Sequence, residues 1–372
     1  MINKKEIILN EIEKNILKKV IIFSAFFLNL ILGKYIVILR QNLIILFINS
    51  CLTSFITFWV LRKKNIKKIN RNHLIISGFI ALYSLRIFMN LTNLIINIEI
   101  LLSTNELKNI LILVIGLFAL PSLIFFVYLF LDKILPKIKE FLMNLDKIEK
   151  KYLIIMGSVG IIVSSYMCLF TTAFINPNGR YDVIYTADQG ILMSNDVYMN
   201  FSHSENDIRQ PLFGVFAYPF GLLAHFFSDL LFFVPNELGY GVLIVSIQFL
   251  LTTISTIMLG RLLKLNDSYK KYFYALFSVS FPYLLFNLIL EQYAIALFYL
   301  ILTIYIFFNY DGVNYSYVVS TGTLLTSGIL FPLISKARTI KEKVRDICKC
   351  FGAFISILII SREIYPINIL YQ

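Results

Sequence analysis

"VLIVSIQFLLTTISTIMLGRLLK", residues 242–264, is an apolar run that closes on Arg261 and Lys264. A helix rises 1.5 Å per residue, so about 20 apolar residues cross a hydrocarbon core of about 30 Å, and this run is long enough. Lys and Arg gather at the cytoplasmic ends of membrane helices, so the run reads as a span that enters from outside and ends inside. Its direction fixes how the segments on either side must be arranged.

The whole chain fits that reading. Its 372 residues are 58% hydrophobic and 15% charged, with mean hydropathy +0.77, where a soluble chain carries about 25% charge. Further apolar segments fall near 20–39, 41–61, 73–96, 108–131 and 152–175. The expected class is all-α: a polytopic transmembrane helical bundle of about ten or eleven membrane segments, with one long external loop and interfacial helices. Residues 1–150 are expected to form an N-terminal interfacial helix plus a four-span accessory module, and 151–372 a second membrane module. The abundance of Ile, Asn and Lys points to an AT-rich bacterial genome, hence to a multi-pass protein of a bacterial inner membrane.

The net charge of +12 is not a nucleic-acid signal, because the bases sit in short links between apolar segments. Such placement follows membrane orientation and attraction to anionic lipid, so membrane lipid is an expected partner and nucleic acid is not. Cys51, Cys168, Cys348 and Cys350 form neither a disulfide framework nor a metal spacing. No cofactor is expected, and no ligand cluster supports a divalent metal. In "MINKKEIILNEIEKNILKKV" (1–20), Ile8, Ile12 and Ile16 fall at helical spacing among charges. This reads as a cytoplasmic interfacial helix leading into an uncleaved first span.

Charge then orients the chain. The link 62–71 holds Arg62, Lys63, Lys64, Lys67, Lys68 and Arg71 with no acid and belongs inside; the turn 97–107, with Glu99 and Glu106, belongs outside; the Lys-rich link 132–151 belongs inside. Segment 152–175 therefore runs outward and leaves the loop 176–210 external, where five acids (Asp182, Asp188, Asp196, Glu205, Asp207) stand against two bases (Arg180, Arg209). An ordinary span over 212–233 would then put Arg261, Lys264, Lys270 and Lys271 outside. The conflict disappears if 211–235, broken by Pro211, Pro219 and Pro235, lies at the outer interface. Segments 272–290 and 291–309 then run outward and inward. A similar conflict at 316–335, followed by six bases from Lys336 to Lys349, predicts a half-spanning hairpin turning near Thr326-Ser327-Gly328.

An outward span, an external loop with Asp188 in "TADQGILMSNDVYMN", then "RQPLFGVFAYPFG" (209–221), resembles the first part of the GT-C membrane glycosyltransferases, such as protein mannosyltransferases and aminoarabinose transferases. "SVSFPYLLFNLILEQYAIALFYLILTIYIF" is similar to their Ser-Pro and acid pattern, with Glu291 at the acid position. "STGTLLTSGILFPLISK" resembles their Gly/Thr hairpin. The match covers about 152–350 and departs from the pattern in having one Pro where two are usual and Ser327 where a Lys is usual. The resemblance implies transfer of a sugar from a polyprenyl-phosphate donor to an envelope glycan, lipid or protein on the external face, and a chain shortened at its C-terminus.

That chemistry needs a carboxylate to take the acceptor's proton and a cation to stabilise the departing phosphate. Asp188 is the candidate base, with Asp182 and Asp196 as rivals, and Glu291 the second catalytic acid. Arg209 and Arg180 are candidates for the phosphate; Tyr185, Tyr198, His203, Gln210 and Asp196 for the sugar subsite. Each has a bland alternative: the acids as a solvated surface, Arg209 snorkelling at the interface, Glu291 as a structural hydrogen-bond partner of the loop. His225, among aromatics, reads as packed. Two other classes stay open, a transporter or flippase of lipid-linked saccharide and a non-catalytic membrane partner or inactive paralogue. No internal repeat of the kind found in carriers is present.

Overall fold

The computed structural model of the chain describes residues 6–35, 43–63, 68–89, 106–170, 198–199, 209–230, 236–280, 283–284, 287 and 290–362. Apart from one two-stranded ribbon, the described elements are helices. Three are long and apolar enough to cross a membrane, at Val114–Met143, Phe213–Leu230 and Gly239–Leu262; shorter apolar helices lie at Ser50–Arg62, Tyr293–Asn309 and Leu325–Ile334. The chain divides into two compact units, residues 1–144 with 358–372, and residues 145–357.

In the first unit, β1 (Glu6–Ile8) pairs antiparallel with β2 (Lys68–Asn70), and α1 (Glu11–Tyr35) follows directly. Asn10 Oδ1 accepts the Glu13 N–H, and Glu13 Oε2 accepts the Asn10 N–H, both at 2.8 Å. This reciprocal box satisfies two helix-end donors and fixes the start of α1. The helix expected to lead into the first span begins at Glu11, after the strand and the cap, and continues into the first apolar segment. Around α1 pack α2 (Leu43–Lys63) and α4 (Glu106–Met143), and α3 (Arg71–Met89) packs on α4. Ile21, Leu61, Ile69, Phe125 and Tyr128 form the shared core. Next to Pro121, the Ser122 N–H donates to Ser24 Oγ on α1 at 2.9 Å, so a polar contact joins the two helices where the proline interrupts the backbone ladder. The sequence reading ended a span at residue 131, but α4 runs on to Met143 because Lys, Glu, Leu and Ile sustain a helix in water as well as in lipid. His73, at the start of α3, lies 3.4 Å from Asp132 on α4.

The second unit is built on α7 (Asn236–Leu262), against which α5 (Lys147–Phe170), α6 (Phe213–Leu230), α8 (Asp267–Ser278) and α9 (Tyr293–Asn309) all pack. Its contacts set the directions. Glu149, Gly160 and Ser164 of α5 meet Arg261, Phe249 and Ser246 of α7, so the pair is antiparallel. Gly160 is required by this approach, since a Cβ there would lie 2.6 Å from that of Phe249. Close backbone contact at a small residue is a common way of joining apolar helices. Tyr305 near the end of α9 meets Arg261 near the end of α7, so these two run in parallel. Ser228, in the last turn of α6, lies beside Gly239, in the first turns of α7. At the other end of α6, the Phe216 carbonyl accepts from Tyr299 Oη of α9 at 2.8 Å. Helix α6 thus starts inside the unit and runs antiparallel to the first part of α7. Pro219 lies within it and does not break it, contrary to the expectation of a segment broken at that proline.

Two further expectations meet a different outcome. The segment 272–290 is not one helix: α8 ends at Ser278, and Val279 is its cap, with φ −95° and ψ 0°. Pro282, two residues beyond Ser280, lacks an N–H and disfavours helical backbone just before it, which ends the helix early. The hairpin is present, and it turns at Leu324, two residues before the expected tip: α10 (Ser316–Thr323) and a 3-10 helix (Leu325–Ile334) form its arms. At 1.5 and 2.0 Å per residue these arms are about 12 and 20 Å long, short of a bilayer core.

Asn314 closes the hairpin at its base. Its N–H donates to Ile334 O at 2.8 Å, and its Nδ2 donates to Thr303 O at 2.9 Å and Leu333 O at 3.0 Å. Ser316 Oγ donates to its Oδ1. The residue is buried and acts as a structural clasp. Replacing Asn314 with alanine is expected to leave the Thr303 and Leu333 carbonyls poorly satisfied and to cost on the order of 2–3 kcal/mol. The check is hydrogen exchange across 316–334, which should rise in the variant while α7 stays protected.

Candidate functional site

Four stretches singled out by the sequence converge in the second unit. The loop residue Tyr198 is fully buried, and its hydroxyl donates to the Glu291 carbonyl at 3.1 Å. Gln248, from the middle of α7, donates its amide to the same carbonyl. Tyr198 packs edge-on against Phe213, ring centroids 5.5 Å apart, which ties the loop to the Arg209–Phe213 stretch. The Leu212 N–H donates to Gly322 O at 2.7 Å, which ties that stretch to the hairpin tip. Gly322 is needed there, because a Cβ would fall 2.9 Å from that of Leu212 and 2.7 Å from the Phe216 ring.

Burial, and after it the nearby charge of Glu291, push the Tyr198 hydroxyl above the usual tyrosine range. It therefore remains a proton donor and holds the loop to Glu291, two residues before α9. Below this node the polar line continues along one face of α7: Thr252 Oγ1 bonds Asn287 Oδ1, Asn287 Nδ2 donates to Tyr283 O at 2.7 Å, and the Tyr283 and Thr253 hydroxyls lie 3.0 Å apart. The backbone is non-helical at 290–291, where the Glu291 carbonyl meets Gln248, and at 210–212. Irregular backbone inside a membrane module is tolerated where protein or a water-filled cavity covers it.

Three buried atoms at this junction have no hydrogen-bond partner among the described residues: Gln210 Oε1, Gln248 Oε1 and Thr321 Oγ1. Each costs about 1–3 kcal/mol if left unpaired, so each calls for water or a polar ligand. Gln210 and Thr321 flank the Leu212–Gly322 bond in sequence. Arg209, beside Gln210, is exposed. Asp188, Arg180, Tyr185, His203 and Asp196 lie outside the described residues. Among the other nominated groups, His225 stacks on Tyr240 with ring centroids 4.2 Å apart.

A second polar cluster stands at the opposite end of α5 and α7. Glu149 is 1% exposed, and Arg261 grips both its oxygens, Nε to Oε1 at 2.9 Å and Nη2 to Oε2 at 2.6 Å. Lys270 of α8 adds contacts to Asp146 at 2.5 Å and Glu149 at 3.5 Å. Asp146 and Glu149 also form a reciprocal box at the start of α5, each side chain accepting the other's N–H at 2.8 and 3.0 Å. Sequence reasoning passed over this box, although Asp-x-x-Glu before an apolar run is its local signature. Gln248 was passed over too; its signal is a lone amide within a continuous apolar stretch.

For Asp146, burial acts upward, but the Glu149 N–H and Lys270 outweigh it and hold the carboxyl below its usual range. For Lys270, the bond to Asp146 comes first and the net effect is upward. A depressed carboxyl contributes stability above its unfolded value and loses it as pH falls through the folded value. A raised amine contributes below its unfolded value and loses it as pH rises through the folded one. The α5–α8 junction is therefore expected to be most stable between about pH 5 and 9, with melting temperature falling outside that window. Lys270→Met should flatten the alkaline flank of the melting profile and only weaken the acid one, because the Glu149 N–H still holds Asp146 down.

No protein-family model, curated protein or solved structure matches the chain.

Proposed function

We propose that the chain is a membrane glycosyltransferase of GT-C type, working in a polytopic bundle of ten or eleven segments with its N-terminus in the cytoplasm. It moves a sugar from a polyprenyl-phosphate donor to an envelope acceptor on the external face. One observation carries the reading: the external loop, the Arg-Gln-Pro-Leu stretch, the acid before α9 and the Gly/Thr hairpin, which the resemblance assigns to one site, meet around Tyr198, Glu291 and Gly322. Unpartnered polar atoms at Gln210, Gln248 and Thr321 suit a hydroxyl-rich ligand.

The direction of α6 also supports the proposed topology. In that topology α6, which starts inside the unit and runs toward the first turns of α7, makes no net crossing. Arg261, Lys264, Lys270 and Lys271 then stay on the cytoplasmic side, as the charge rule requires. In this site Asp188 takes the acceptor's proton and Glu291 serves as the second acid, while Arg209 and Arg180 hold the departing phosphate. Tyr185, Tyr198, His203, Gln210 and Asp196 shape the sugar subsite.

A second reading, a carrier of lipid-linked saccharide, is favoured by the non-helical backbone at Glu291 beside Gln248 in the middle of α7. One experiment separates the two. Purified chain is reconstituted into liposomes holding a donor with a tritiated sugar on polyprenyl phosphate and an acceptor extract from the envelope. Label in the acceptor supports transfer. Label that changes leaflet on an intact donor supports the carrier and rejects transfer.

A further inference from the structure

The helix after the hairpin, α11 (Ile340–Arg362), presents different chemistry on each of its faces over its first three turns. One face turns inward. Ile347, Cys350 and Phe354 pack with Val318 and Ile334 of the hairpin, and the buried Asp346 accepts from Ser335 Oγ at 2.7 Å. A second face carries Ile340, Val344 and Phe351, which are 81%, 53% and 66% exposed. Spacings of four and seven residues place these three on one line of a helix with 3.6 residues per turn. Lys341, Arg345 and Lys349, four residues apart, form a parallel row about 100° further round. All three are exposed.

We propose that this part of α11 seats on an anionic phospholipid surface, with Ile340, Val344 and Phe351 in the boundary between headgroups and acyl chains and Lys341, Arg345 and Lys349 on the lipid phosphates. The charge balance argues for that occupant. Residues 340–351 carry four bases against two acids, and the stretch stays cationic with Asp346 counted, which bonds Ser335 and pairs with Lys349 at 2.9 Å and Arg345 at 3.7 Å. A narrow apolar stripe flanked by cations is the pattern of helices that lie in a membrane interface. A groove-binding helix of a protein partner would meet a wide apolar face, and here the exposed stripe is one side chain wide. The lipid also explains why large apolar side chains stand exposed on a helix whose other faces are charged or packed. The inference does not depend on sugar transfer.

The test uses the full chain with Cys51, Cys168 and Cys348 changed to Ser and Val344→Cys labelled with NBD. It is reconstituted in phosphatidylcholine bilayers with and without phosphatidylglycerol, using lipids brominated on the acyl chain. The expected result is blue-shifted emission quenched severalfold more strongly when phosphatidylglycerol is present. That difference should vanish in the K341Q/R345Q/K349Q variant and survive in K341R/K349R, which keeps the charges and controls for folding. Equal quenching with and without phosphatidylglycerol overturns the proposal, as does a probe that remains in water. Blue-shifted emission that bromolipid does not quench also overturns it, because the stripe would then be covered by protein.

Discussion

Changing Arg261 to methionine should destabilise the 145–357 unit by about 3–5 kcal/mol, because it leaves Glu149 charged in a site that is 1% exposed. The guanidinium contacts both carboxylate oxygens, at 2.9 and 2.6 Å, so no other group described at this site replaces it; Lys270 stands 3.5 Å from one oxygen only. In melting temperature the loss is on the order of 10 °C. Changing both partners together, Glu149→Leu with Arg261→Met, should return most of the loss, since a buried pair replaced by apolar groups of similar volume is often neutral. Full recovery is not expected, because Glu149 also accepts the Asp146 N–H at the start of α5. A single Arg261→Met variant that melts within a degree or two of the parent would show that the pair contributes little.

If the chain is the proposed sugar transferase, Asp188→Asn should reduce transfer by about 10²–10⁴-fold while leaving melting temperature unchanged. The amide keeps the size and much of the hydrogen bonding of the carboxylate but cannot take the acceptor's proton as it attacks. The donor is held by other groups, so its KM should move little and kcat should carry the loss. Glu291→Gln provides a comparison. Glu291 contributes a backbone carbonyl that anchors Tyr198, and that bond survives the substitution, so any loss of rate in the variant belongs to the carboxylate. If Asp188→Asn transfers sugar at the parental rate while Asp182→Asn or Asp196→Asn abolishes transfer, the base lies elsewhere on the loop.

What the sequence made legible was governed by local rules. Apolar length located the helices. Excess charge after residue 335 required a hairpin, whose turn falls at Leu324. What it hid depends on distant partners. The Asp146–Glu149 box is local, but its grip by Arg261 joins residues 112 positions apart. Gln248 looked like a stray amide until Tyr198 and Glu291 were placed beside it. The β1–β2 ribbon escaped notice because three-residue strands have no periodicity to read. The early end of α8 had a visible cause in Pro282, outweighed in the reading by the apolar run that continues past it.

In the proposed topology the loop, which reaches Glu291 through Tyr198, and the hairpin, which reaches Leu212 through Gly322, enter from opposite faces of the membrane. The most direct measurement places single cysteines at Ser202 in the loop and at Arg338 beside the hairpin base, in a chain with Cys51, Cys168 and Cys348 changed to Ser. An impermeant maleimide is then applied to sealed vesicles of each orientation. Labelling of the two positions from opposite sides is the predicted result. Labelling of both from the same side would contradict the account.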